Sequence, residues 1–387
     1  MKDWQIVKLG ELYSVHNGLS KGRQFFGTGF PFLTFSNVFN NWFLPNELDS
    51  LVQTTEKERV TCSIKCGDVF ITRTSETMNE LGMSSVALKD YPNATYNGFT
   101  KRLRPITDRV LPNFIGYYLR SPKFRGKFMA FSSMTTRASL ANDDLLNMEI
   151  ELPSIEVQTR IASILSRYDS LIANYQQQIK LLEEAAQRLY KEWFVEFHFP
   201  GYENVEIIEG IPKGWGKKTV GELLQKVKRR VSIPKSEICS TGNIPVIDQS
   251  RQFIAGYTDV SESRIDVENP LIVFGDHTRI LKFIMFPFAC GADGTQLIMS
   301  NDLNRMPQVL FYISLINVDL SSYSYARHFK YLKQEEIVVP DEKTSRKYSK
   351  TVSEWYQNIQ NFRSQITMLT EARDRLLPKL MSGEIEV

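Results

Sequence analysis

Ten positions spaced four and three residues apart run through the middle of the chain: Ile161, Leu165, Tyr168, Ile172, Tyr175, Ile179, Leu182, Ala186, Leu189 and Trp193. The spacing returns 187 residues later at Tyr348, Val352, Trp355, Ile359, Phe362, Ile366, Leu369, Arg373, Leu376 and Leu380. Alternating steps of four and three average the 3.5-residue period of a coiled coil, so each set predicts a helix with one apolar seam. Neither glycine nor proline interrupts residues 154–199 or 341–377, which leaves both stretches free to be unbroken helices. Arg373 is the one charged residue among the twenty. Two matched helices in one chain point to a duplicated protein that closes on itself. If they pair antiparallel about a pseudo-twofold axis through positions 177 and 364, Ala186 faces Trp355 and Arg373 lies over Tyr168 as a cation–π pair.

The duplication extends beyond the helices. Trp4 with Leu9-Gly10-Glu11-Leu12 resembles Trp215 with Val220-Gly221-Glu222-Leu223, and residues 112–119 resemble 307–314. Leu152-Pro153 and Val339-Pro340 each close an apolar stretch just before a helix. The offset falls from 211 at the start through 195 to 187, so the first globular segment is the longer one. Two units are a tandem repeat rather than a solenoid. Short β-rich runs at residues 68–72, 85–88 and 148–152, and at 271–274, 297–299 and 336–339, predict strands bounded by turn residues. Pro112 and Pro307 each mark a helix start. The expected fold is α+β: two tandem α/β domains, at 1–153 and 200–340, with an antiparallel two-helix coiled coil formed by 154–199 and 341–387.

With 387 residues, 42% hydrophobic and 24% charged, the chain has the composition of a globular protein with room for two or three cores. No apolar run has the length of a membrane span and residues 1–5 lack a signal-peptide core, so a cytoplasmic protein with no membrane contact is expected. The four cysteines, Cys62, Cys66, Cys239 and Cys290, lack the paired spacing of a zinc site and read as free thiols. No phosphate-binding glycine loop, His-Glu-x-x-His or Gly-x-Ser-x-Gly is present, and the four histidines stand in unrelated contexts. Pro340-Asp341-Glu342-Lys343 superficially resembles a nuclease carboxylate cluster. Its acids are adjacent and sit where a helix begins, where they complement the helix dipole instead. No catalytic residue, metal ligand or cofactor of its own is therefore expected.

A net charge of +3 says little, but basic density is local. Residues 101–127 hold Lys101, Arg102, Arg104, Arg109, Arg120, Lys123, Arg125 and Lys127 against the single acid Asp108, interleaved with aromatics. Residues 226–230, which include Lys228 and Arg229, form a second cluster in the other repeat. One cluster per repeat points to nucleic acid, since cations bind phosphate while Arg, Asn, Gln, Ser and Thr read base edges. Base readers are expected on loops between strands: Arg73, Thr74, Ser75, Thr136 and Arg137 in the first repeat, and His277, Thr278, Arg279, Tyr325 and Arg327 in the second. Two other readings remain open from the residues: a self-contained nuclease or methyltransferase, and a coiled-coil scaffold without DNA.

Residues 152–165, Leu-Pro-Ser-Ile-Glu-Val-Gln-Thr-Arg-Ile-Ala-Ser-Ile-Leu, resemble the Pro-Pro-Leu-x-Glu-Gln-x-x-Ile-Ala-x-x-Leu start of the central helix in specificity subunits of type I restriction–modification systems. The tail at 376–385, the Ile211-Pro212-Lys213-Gly214-Trp215 run and residues 270–278 are similar to further segments of that family. The resemblance spans the chain, but Pro340-Asp341-Glu342-Lys343 lacks the Glu-Gln-x-x-Ile run, so a looser helix start is expected there. The resemblance implies a non-catalytic subunit that reads double-stranded DNA with two target-recognition domains, each reading half of a split asymmetric site. It also implies partners: two methyltransferase subunits, which bind S-adenosylmethionine and methylate adenine N6, and one or two restriction subunits, which use ATP and Mg. On this reading the helices are a ruler. Thirty-six helical residues, from Gln158 to Trp193, span about 54 Å, enough to hold two domains one DNA turn, about 34 Å, apart.

Overall fold

The computed structural model describes residues 4–73, 81–132, 141–292, 294–323 and 327–387. The chain forms two compact units, one of Met1–Ala173 with Ile366–Val387 and one of Asn174–Gln365. Both long helices, Ile155–Tyr190 and Glu342–Met381, contribute a stretch to each unit.

In the first unit, strand Gln5–Lys8 pairs antiparallel with Glu149–Leu152, and the latter runs through Pro153 into the central helix. A four-stranded antiparallel sheet is ordered Tyr13–Asn17, Thr100–Pro105, Val69–Thr72, Ser84–Val86. The two inner strands are covered on both faces; Val69, Phe70 and Ile71 are all fully buried, so their pattern is a continuous apolar run rather than an alternation. Helix Pro112–Arg120 lays Phe114, Ile115, Tyr117, Tyr118 and Leu119 into the same core. A smaller core, built on Leu33, Phe70 and Tyr96, involves a three-stranded sheet ordered Leu51–Val52, Phe26–Leu33, Thr95–Tyr96.

The second unit repeats this plan. Strand Gly216–Thr219 pairs antiparallel with Glu336–Val339, which leads into the C-terminal helix. Gln5 lies opposite Leu152 and Gly216 opposite Val339, matching the two sequence offsets. A three-stranded sheet, Leu281–Ile284, Leu271–Gly275, Thr295–Ile298, packs on helix Gln308–Ile316, whose N-cap is Pro307. A second sheet of four short strands carries Ile244–Ile247 and Phe288–Cys290 at its centre.

All twenty seam positions are buried or half-buried. Within the first unit Ile161 and Leu165 share a core with Leu377, Leu380 and Met381. Within the second, Ala186 and Tyr190 share one with Tyr348, Val352, Tyr356 and Ile359, and the Tyr348 hydroxyl donates to Ala186 O at 2.9 Å. The helices are antiparallel in each unit, in the expected register to within about two turns. The detailed partners differ. Arg373 pairs with Asp169, one residue from Tyr168, and the ring beneath its guanidinium is Trp42, 4.8 Å away. Ala186 O accepts from Tyr348, and Trp355 packs against the same core. The C-terminal helix also continues past Leu377 through Pro378 to Met381. The central helix closes with a π-turn at Lys191–Val195.

The two helix starts are secured by different chemistry. Gln158 is fully buried; its Oε1 accepts from Leu111 N and its Nε2 donates to Pro153 O and Arg109 O, each at 2.9 Å. The corresponding residue, Ser345, donates to Arg305 O, and the Arg305 guanidinium donates to Pro340 O, Val339 O and Gly214 O. Asp341 caps the helix, accepting from Thr344 N and Oγ1 and from the Trp215 indole at 2.9 Å. The start is thus firmly held rather than loose, and Asp341 is committed to the cap. Burial raises the Asp341 carboxyl, but the Thr344 hydroxyl and amide and the Trp215 indole outweigh it, so the net shift is downward. Asp341→Ala should cost about 1 kcal/mol in urea unfolding. Because the folded value lies below the unfolded one, that contribution is complete above the ordinary aspartate value of about 4 and disappears as pH falls through the lowered value. A variant as stable as the parent at pH 7 would refute the cap.

Candidate nucleic-acid interface

The second unit assembles its exposed residues around one hairpin. Strands Leu271–Gly275 and Leu281–Ile284 are joined by residues 276–280, with Gly275 N donating to Ile280 O and Arg279 N to Gly275 O. Arg279 takes up φ 62°, a left-handed conformation that costs a non-glycine residue of order 1 kcal/mol. Its guanidinium donates to Leu320 O at 2.9 Å. Asp276 ties the tip to helix His328–Leu332: its carbonyl accepts from His328 N and its Oδ1 from Phe329 N at 2.8 Å. The Asp276 amide donates to Gly294 O, where strand Thr295–Ile298 begins. At that strand, Arg229 donates to Thr295 O and Gln296 Oε1.

His277, Thr278, Arg279, Arg229 and Arg327 are therefore brought together, all exposed, with Lys228 exposed beside Arg229. Tyr325 lies outside the described residues. Three polar side chains on the hairpin tip, with Arg229 and Arg327 from neighbouring segments, can hold a phosphate backbone and reach base edges. His328 behind them is buried, which together with the Arg279 charge holds its imidazole below the usual histidine value.

In the first unit, Arg73 occupies the place of Asp276. Thr72 pairs with Thr100 as Gly275 does with Thr295, and Arg73 N donates to Phe99 O as Asp276 N does to Gly294 O. Arg73 is half-buried at the sheet's end, beside the 64% exposed ring of Phe99. Thr74, Ser75, Thr136 and Arg137 lie outside the described residues.

Lys101 and Arg102 are a correction. They are 4% and 3% exposed, and their charges are spent inside the fold. The Lys101 ammonium is held by Asn142 Oδ1. Burial and the neighbouring Arg73 charge keep it below the ordinary lysine value, against the pull of Asp144. Arg102 donates to Ser63 O at 2.6 Å and to Thr61 O, and its guanidinium lies 5.5 Å from the Tyr96 ring. Other members of the run are structural too: Arg104 binds Asp68 through two bonds, and Arg120 donates to the carbonyls of Ser84, Val38, Phe39 and Asn41. These cations satisfy buried carbonyls and a carboxylate rather than forming a patch.

One segment was not expected. Residues 248–252, Asp-Gln-Ser-Arg-Gln, lie against the hairpin tip: His277 N donates to Gln249 Oε1 and Thr278 Oγ1 to Gln249 O at 2.7 Å. The legible signal was a run of base-reading residue types directly after the apolar stretch 244–247, in place of charge density. Among the described residues, no group of three or more His, Cys, Asp or Glu could hold a metal ion. No helix among them is long and apolar enough to cross a membrane.

Comparison with known proteins gives a consistent picture. Residues 1–184 match the family model described as the type I restriction modification DNA specificity domain. The type I restriction enzyme MjaIX specificity subunit of Methanocaldococcus jannaschii is 27% identical over 416 residues, covering 100% of this chain and 94% of that protein. The HindI specificity subunit of Haemophilus influenzae is 27% identical over 202 residues, 51% of this chain and 42% of that protein. In fold, the chain is similar to the crystal structure of the type I restriction–modification S subunit from M. genitalium. The TM-score is 0.59 at 15% identity, covering 98% of this chain and 96% of that one.

Proposed function

We propose that the chain, which is similar over its length to type I restriction–modification DNA specificity subunits, reads a split, asymmetric DNA site, one half with each unit, for adenine-N6 methyltransferase subunits docked along its helices. As a specificity subunit it is a non-catalytic component of the system. The observation that carries the two-half reading is the recurrence of one hairpin position in both units, occupied by Arg73 in the first and by the Asp276–Arg279 tip in the second. S-adenosylmethionine would then belong to two methyltransferase subunits, and ATP with Mg to one or two restriction subunits. A cytoplasmic location belongs to the same reading.

The helices are proposed to set the unread spacer between the half-sites. Supporting this is the 36-residue central helix, about 54 Å long at 1.5 Å per residue. The test is to express the chain with its methyltransferase and map methylated adenines genome-wide, for the parent and for a variant with seven residues inserted in both helices. The parent should yield one split motif; the variant should yield the same half-sites with a longer spacer. A continuous motif in the parent would refute the two-half reading, and an unchanged spacer would refute the ruler.

A further inference from the structure

Lys282 is only 4% exposed, an unusual place for an ammonium group. It stands on strand Leu281–Ile284 of the hairpin and reaches both ends of the unexpected segment. Its Nζ donates to Gln252 O and lies 3.6 Å from Asp248 Oδ1. That same oxygen accepts from Ser250 N at 2.9 Å and Ser250 Oγ at 2.6 Å, which closes a tight turn. Gln249 is clasped by His277 and Thr278. These anchors hold the loop backbone, while Arg251 and Gln252 are exposed. Beside the loop lies a cleft of about 540 Å³ lined in part by Lys235, Gln249, Gln252 and Thr278. A surface loop gains nothing in stability from burying a lysine to fix its shape. A loop that presents side chains for recognition needs its backbone fixed to within a fraction of an ångström.

Resting on the reading of the chain as a DNA specificity subunit, we propose that Arg251 and Gln252 contact base edges in the half-site read by the second unit. Lys282 is the positioning residue that holds them there. Arginine and glutamine are the side chains that make paired contacts with guanine and adenine in the major groove. The loop adds a second set of contacts beside His277 and Thr278, so this half-site is read by two loops.

The test uses the full chain co-expressed with its methyltransferase, with methylated adenines mapped for the parent, Arg251→Ala, Gln252→Ala and Lys282→Met. The two surface variants should each relax one position of one half-site, the same half in both. Discrimination there should fall at least about fivefold, the equivalent of about 1 kcal/mol per contact, with the other half unchanged. Lys282→Met should relax the positions affected in both surface variants together. If methylation in the surface variants falls evenly with both half-sites intact, the loop makes only phosphate or structural contacts and the proposal is overturned. A parent with no split motif would overturn the specificity reading itself, a distinct result.

Discussion

Arg373→Ala should destabilise the first unit by about 3 kcal/mol, read as an earlier loss of that unit in urea unfolding. The Arg373 side chain is 13% exposed; it donates to Asp169 Oδ1 at 2.6 Å and to Asp374 Oδ1 while lying over Trp42. Tyr117 donates to the other Asp169 oxygen. Alanine would leave the Asp169 carboxylate with the phenol alone. Breaking a buried pair by removing one partner costs about 3–5 kcal/mol, and the 29% exposure of Asp169 places this one at the lower end. In a double-mutant cycle, Asp169→Ala should cost much less once Arg373 is gone. A loss below about 1 kcal/mol would mean that solvent already screens the pair.

Gly82→Ala should be at least as damaging, by about 3 kcal/mol. Gly82 has φ 70°, where an L residue is strained by roughly 1 kcal/mol. An added Cβ would fall well under 3.0 Å from three atoms of the Phe128 ring. Phe128 is 1% exposed and packs on Phe124, so it has nowhere to move, and overpacking adds about 1–3 kcal/mol. Gly82 N donates to Thr72 O beside Arg73, so the same change should blur the half-site assigned to the first unit while sparing the other. Phe128→Leu combined with Gly82→Ala should recover part of the stability. If it recovers none, backbone strain alone sets the cost.

The coiled-coil seams were legible because they repeat: every one of the twenty positions is at least half-buried, including the charged one. Strand Glu336–Val339 agrees with its expected range, and Val69–Thr72 and Leu271–Gly275 do so within one residue, because short β-branched runs end at Gly, Asp or Arg. Within the basic window, Lys101 and Arg102 failed for a physical reason. Charge counted along a sequence has no direction, and Thr100–Pro105 is an inner strand whose Lys101 and Arg102 turn inward to Asn142 and to backbone carbonyls. The loop at 248–252 was missed for the converse reason. Its value lies in anchors from Thr278 and Lys282, some thirty residues away in sequence, which no local pattern records. The hairpin tip fell between: His277, Thr278 and Arg279 stood out as polar residues after a strand, but their link through Asp276 to His328 depends on the tertiary fold.

The unequal make-up of the two units has a consequence in time. The second is a single continuous stretch, Asn174–Gln365, whereas the first needs Ile366–Val387 to complete it. Leu377, Leu380 and Met381, each at most 3% exposed, close the core that Ile161 and Leu165 begin. A chain synthesised from its N-terminus therefore has every residue of the second unit before it has the last apolar side chains of the first. Until those arrive, the globule made earliest waits with an open flank, and it is the last of the two to be finished.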